Sequence, residues 1–218
     1  MHKCFPPALR YGLLIAALAA CALAQPPKEE SKGLPPRAAA TDYQAQAKVG
    51  DFTIGAEFVG HSVPTPAHTF STEEYVTVEV AFFGPADARL KLSMDDFSIR
   101  INGKKNPSPR EPYDLVFKNL KDPEWEPPIK QEGKSKTSFG GSGGGGGGAD
   151  KPPPPKMPIA ERRVMEQHVQ KASLLEGDRP LPQAGLIFFQ HRGKVTGIQS
   201  IELIYSGPAG KATLTLQP

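Results

Sequence analysis

Cysteine is nearly absent from this 218-residue chain: it has two, Cys4 and Cys21, both close to the N-terminus. The remainder can form no disulfide and no thiolate metal site, so an exported form must rely on its packed core. Tryptophan occurs once, at Trp125. No excess of one charge stands out either. The chain carries 26 Lys and Arg against 23 Asp and Glu, and removing Lys3 and Arg10 leaves 24 against 23. Such a balance lacks the basic footprint of a nucleic-acid binder. Long hydrophobic runs are missing too. Tyr11 to Leu23 is the longest, and it falls short of the roughly 20 apolar residues that a membrane-crossing helix takes.

What that run fits is an export signal. Lys3 and Arg10 form its positive end, the apolar stretch follows, and small residues close it before the abrupt change at Gln25-Pro26-Pro27-Lys28-Glu29-Glu30. Two endings stay open. Ala22-Leu23-Ala24 reads as a peptidase site that removes residues 1–24. Leu18-Ala19-Ala20-Cys21 looks like a bacterial lipobox, which removes 1–20 and leaves Cys21 as a lipidated N-terminus. In the first case Cys21 is only a small apolar residue within the signal.

The 24 prolines and 22 glycines cluster, and the clusters divide the chain. Residues 25–46 carry almost no large apolar side chains and read as a flexible stalk. Residues 47–105 read as strands. Phe52, Ile54, Ala56 and Phe58 alternate with polar or small neighbours, and Val76, Val78, Val80 and Phe82 do the same, as in a sheet with one wet face. His61 to Ser71 reads as a connection. Leu90 and Leu92, then Phe97, Ile99 and Ile101, continue the pattern up to Asn102-Gly103, a pair that favours positive φ and a tight reversal.

Residues 106–182 break the alternation and read as a Pro/Gly-rich insertion. Within it Gly140 to Gly148 is a flexible linker and Pro152 to Pro155 an extended spacer. Ile159 to Leu175 reads as a helix opened by Pro158, with a thin apolar stripe of Met165, Val169 and Ala172. Residues 183–218 return to strands. Gly185 to Phe189 is a dense apolar run, Ile201, Leu203 and Tyr205 alternate, and Leu214 and Leu216 close the chain. Roughly six or seven short strands with regular turns define an all-β, antiparallel β-sandwich with one helix in the insertion.

Val49-Gly50-Asp51-Phe52-Thr53-Ile54, Tyr75 to Val80, Asp96-Phe97-Ser98-Ile99 with Asn102-Gly103-Lys104, Leu181 to Phe189 and Ile201 to Tyr205 carry a family likeness. Over about half of the chain the sequence resembles the immunoglobulin-like domain of unknown function found in exported and lipid-anchored bacterial proteins. A secreted mycobacterial antigen has a similar fold. The family usually has a short loop where this chain has Asn106 to Pro182, and a polar turn where it has Phe83-Gly84-Pro85. The resemblance implies an extracytoplasmic, interaction-type role and transfers no catalytic residue.

The residues themselves agree with that. His61, His68, His168 and His191 are scattered, and no two share metal-ligand spacing on one element. Asp95-Asp96 with Glu73 or Glu74 is too small a set for an oxygen-ligand cage. Gly207 to Thr213 is a hairpin turn and not a phosphate loop, and no serine sits in a nucleophile elbow. Catalytic, cofactor and metal residues are therefore assigned as none. Aromatic and Arg residues anchor interfaces, which makes Trp125, Arg162 and Arg163 the candidates for contact with a protein or envelope partner. The expected function is a non-enzymatic binding or scaffolding module of the bacterial cell envelope, touching membrane only through a lipid on Cys21. The alternatives are a carboxylate-dependent hydrolase or carbohydrate-active enzyme using Asp95, Asp96 or Glu202, and a purely structural envelope component.

Intact mass of the mature protein checks the export reading. A diacylglyceryl increment on Cys21, or an unmodified chain starting at Gln25, is the expected result. A mature chain that retains Lys3 and Arg10 overturns it.

Overall fold

A run such as Ala184-Gly185-Leu186-Ile187-Phe188-Phe189 has no polar face to offer water, so its strand must be covered on both sides. The computed structural model, which describes residues 33–125 and 157–218, does this. The export signal with Cys21, the first part of the stalk, the glycine linker and the polyproline spacer lie outside the described residues.

The strands are β1 (Ala45–Val49), β2 (Phe52–Gly60), β3 (Ser62–Pro64), β4 (Thr69–Thr72), β5 (Tyr75–Phe83), β6 (Arg89–Leu92), β7 (Phe97–Ile101) and β8 (Ser108–Glu111). Helix α1 (Tyr113–Lys118), β9 (Leu120–Lys121), helix α2 (Ile159–Ala172), β10 (Gly177–Pro180), β11 (Gln183–Gln190), β12 (Ile201–Gly207) and β13 (Gly210–Leu216) follow. Eight of them form one antiparallel sheet in the order β1-β2-β5-β11-β8-β7-β12-β13, so the protein is all-β as expected. The sheet curls towards a barrel. Its two outer strands approach each other, and the Gln44 side chain spans the seam, donating to Gln217 O at 2.9 Å and accepting from Phe58 N at 3.3 Å. Strand β8, inside the segment read as insertion, joins the two halves through only two residue pairs on each side.

The concave face holds the main core. Val76, Val78, Val80 and Phe82 of β5 meet Ile187 and Phe189 of β11, Ile99 of β7 and Leu203 of β12. Phe82, Phe97 and Tyr205 pack with ring centroids 5.1–5.9 Å apart. Leu90 and Leu92, on the small β6-β10 sheet, also belong to this core.

The convex face is not wet where β5 and β11 lie. Thr77 and Ala81 of β5 are fully buried, which corrects the expected solvated face of that strand. A second core of Ala184, Leu186 and Phe188 takes Met165, Val169 and Ala172 from α2, Val116 from α1, and Val63 and Phe70 from the β3-β4-β9 sheet. That small sheet occupies part of His61 to Ser71, which reads as a connection in the sequence. Burying a Leu or Phe side chain contributes about 1.5–3 kcal/mol, so this outer layer is a sizeable share of the stability.

Two ends differ from the sequence reading. Order begins before Gln46: Leu34 bridges to Ala184, and residues 33–43 run as a strap onto β1. The strap is held by a charge requirement. Glu57 and Glu79 stand directly opposite on β2 and β5, an unfavourable like pair. Arg37 pairs with both, and its guanidinium lies 4.6 Å from the centre of the Tyr43 ring. Burial, ahead of the other influences, pushes the Tyr43 phenol up to about 12. Helix α2 ends at Ala172 instead of Leu175, because Ser173 turns extended and Leu174 N donates to Leu186 O at 3.0 Å. Asn102 and Gly103 have φ of 53° and 64°, as their residue types imply.

Gly185 is what lets the Ser173–Leu174 segment reach β11. A Cβ there would sit 2.5 Å from Leu174 N, with Leu174 Cα closer still. Gly185→Ala is expected to destabilise the protein by about 1–3 kcal/mol through overpacking. Gly197→Ala meets open space and should stay within about 0.5 kcal/mol. Denaturant midpoints of the two variants check the contrast.

Candidate functional site

Pro158 has no backbone N–H to leave unsatisfied and sets the start of α2. From there the helix lays Met165, Val169 and Ala172 on the convex core, and this leaves Val164 half exposed beside Met165. Across from it, the loop before β4 is fixed by a local motif. Thr65 N and Thr65 Oγ1 both donate to His68 O, and His68 N donates back to Thr65 Oγ1. Between the two lies a groove of about 340 Å³, lined by Phe70, Met157, Ala160, Val164 and Met165 with His68, His168, Asp122 and Glu161 at its polar positions.

The polar groups are ordered. The His68 and His168 rings meet edge to face at 5.8 Å, and Glu124 lies 3.9 Å from His68 Nδ1. Asp122 Oδ1 accepts from Glu124 N at 2.9 Å, and Glu161 Oε2 accepts from Trp125 Nε1 at 2.8 Å. An apolar cavity of this size with a few convergent polar groups is the usual form of a ligand-binding pocket.

The three candidates from the sequence separate here. Trp125 borders the groove through Glu161. Arg162 turns the other way, its guanidinium 5.6 Å from the ring centre of Phe117 on α1. Arg163 is exposed on α2 and is not among the residues lining the groove. The lipidation candidate, Cys21, lies outside the described residues. Of the groove's members, His68 and His168 enter the sequence reading only as scattered histidines, and Phe70 and Val164 do not enter it at all. One signal was available: Val164 is an apolar residue beside the buried stripe on an otherwise charged helix.

The scattered histidines come together in two pairs. Besides His68 and His168, the His61 and His191 rings stack at 6.2 Å. His61 Nδ1 is 2.7 Å from Tyr75 O and its Nε2 is 2.8 Å from Gly193 O. His191 Nε2 is buried with no hydrogen-bond partner among the described residues. Burial first, then the neighbouring His61 and Lys104 charges, lower its pKa.

The acids considered for hydrolysis do not line the groove. Asp95 pairs with Arg110 at 2.7 Å and Glu202 with Arg100. The Asp96 carboxyl is raised by burial and by the charges of Asp95 and Glu176. Among the described residues no group of three or more His, Cys, Asp and Glu side chains is placed to hold a metal ion, and no helix is long and apolar enough to cross a membrane. No family model, curated protein or solved structure matches the chain.

A lowered histidine pKa means that the unfolded chain takes up the proton first. The stability this contributes is present above the unfolded value near 6.5, begins to be lost below it, and is gone once pH has fallen through the lowered folded value. The thermal midpoint is therefore expected to fall between pH 7.5 and 5.5, less steeply in His191→Phe than in the parent. Equal slopes would remove His191 from the account.

Proposed function

We propose that the protein is an exported binding or scaffolding module of the bacterial cell envelope, and that the groove between α2 and β4 is its binding face. One observation carries the reading: among the described residues an apolar groove stays open to solvent, in a protein that buries both faces of its central strand. Val164 is 52% exposed at its wall, and Ile159 is 71% exposed at the start of the same helix. A large apolar residue exposed at the wall of a cavity marks a contact surface more often than one standing singly on the surface. The extracytoplasmic setting comes from the signal pattern at residues 1–24, with the lipid anchor on Cys21 or the free chain from Gln25 as its two forms. The immunoglobulin-like kinship belongs to the same proposal and is supported by the strand patterning of β2, β5, β7, β11 and β12.

A photoreactive residue placed at Val164 of the full chain, with Lys48 on β1 as the control position, tests this in the intact envelope. Val164 is expected to give a defined adduct, identified by mass spectrometry, that Lys48 does not give. The same adducts from both positions, or none from Val164, would defeat the proposal.

A further inference from the structure

The residues of the groove go further than its existence, and they specify what it should hold. Its charged members among the described residues are the carboxylates Asp122 and Glu161, and no described Lys or Arg lines it. Each carboxylate is held by one hydrogen bond and keeps its other oxygen unused among the described residues. Asp122 Oδ1 takes Glu124 N, and Glu161 Oε2 takes the Trp125 indole. Two acceptors are thus fixed in direction before any ligand arrives, which limits the entropy lost when a donor binds. The apolar part of the lining is Phe70, Met157, Ala160, Val164 and Met165. Thioether side chains adapt to differently shaped apolar groups, so this lining sets polarity more strictly than shape.

Resting on the binding-face reading above, we infer that the groove takes a peptide segment of a partner protein in which an apolar side chain stands next to a Lys or Arg. The apolar side chain fills the cavity over Phe70 and Met165. The ammonium or guanidinium meets the free oxygens of Asp122 and Glu161. Charge complementarity selects this occupant over an acidic segment, which the two carboxylates repel. Val164, which lines the groove and is 52% exposed, carries the apolar lining out to the solvent-facing flank of α2, which suits a segment lying along the surface better than a compact molecule.

Trp125 is the only tryptophan of the chain and is bonded to Glu161, so its fluorescence reports on the groove. Three blocked heptapeptides, identical except for Lys, Gln or Glu beside a central Leu, are titrated into the full chain at low salt. The Lys peptide is expected to bind about three- to tenfold more tightly than the Gln peptide, with the Glu peptide weakest. Raising the salt should narrow the difference. Asp122→Asn and Glu161→Gln, each with its thermal midpoint measured to show that it folds, should both shrink the Lys preference towards unity. Equal binding of all three peptides overturns the inference while leaving the binding face in place. No peptide binding together with a Val164 adduct overturns it too, and points to another occupant. Loss of the Val164 exposure through concentration-dependent self-association identifies a second copy as the occupant and also overturns it. Absence of both peptide binding and adduct removes the binding-face reading itself.

Discussion

The structure depends on covering strand β11 on both faces and both edges. Its residues from Gln183 to Phe189 are all buried. Ile187 and Phe189 enter the concave core, and Ala184, Leu186 and Phe188 enter the convex one. One edge is filled by β5 along the whole strand. The other is shared, with β8 pairing at Phe188 and Phe189 and the Ser173–Leu174 segment occupying the part that β8 leaves free. A curled sheet alone satisfies the concave requirement. The convex one calls for an outer layer, and so α1, α2, the β3-β4-β9 sheet and the N-terminal strap are recruited from segments that read in the sequence as insertion, connection and stalk.

That recruitment also produces the groove. Helix α2 is fixed at one end by Pro158 and at the other by the Leu174 backbone bond to β11, and only its Met165, Val169 and Ala172 stripe is sunk into the layer. A stripe so narrow leaves the flank of the helix lifted from the sheet. The His68 turn stands opposite, and the space between is walled by Val164 and Phe70. The feature that carries the functional reading is therefore a by-product of how little of α2 the core needs. Its chemistry is set by the few side chains that line it, apolar ones together with two histidines and two carboxylates.

The strands with one regular alternation were legible because period two survives any context. β2, β5, β7 and β12 are where the alternation places them, and the helix stripe names the same three residues that α2 buries. Alternation cannot tell a sandwich from a sheet curling towards a barrel, since both turn every second residue inward. The strap was hidden for another reason. Its hold comes from Arg37 neutralising two glutamates on other strands, and its own composition is that of a disordered segment. β8 and β10 are short, contain Pro109 and Pro180, and exist through partners far along the chain. The histidine pairs share that obscurity: the members of each are brought together by the fold across long separations, which no local spacing announces.

The strap has a mechanical meaning as well. It crosses the convex face from Ala184 of β11 to the start of β1, fastened at Leu34, at Arg37 and at Tyr43 over Gly55. Any pull on the residues that precede Gly33 loads the Leu34 bridge first, then the Arg37 ion pairs, then the Tyr43 ring. These fastenings yield one after another, as in peeling tape, and each bears the tension alone. Only when all three have let go does tension reach the hydrogen bonds between β1 and β2. The strap thus yields ahead of the sheet, absorbing traction from the N-terminal side before the core is disturbed.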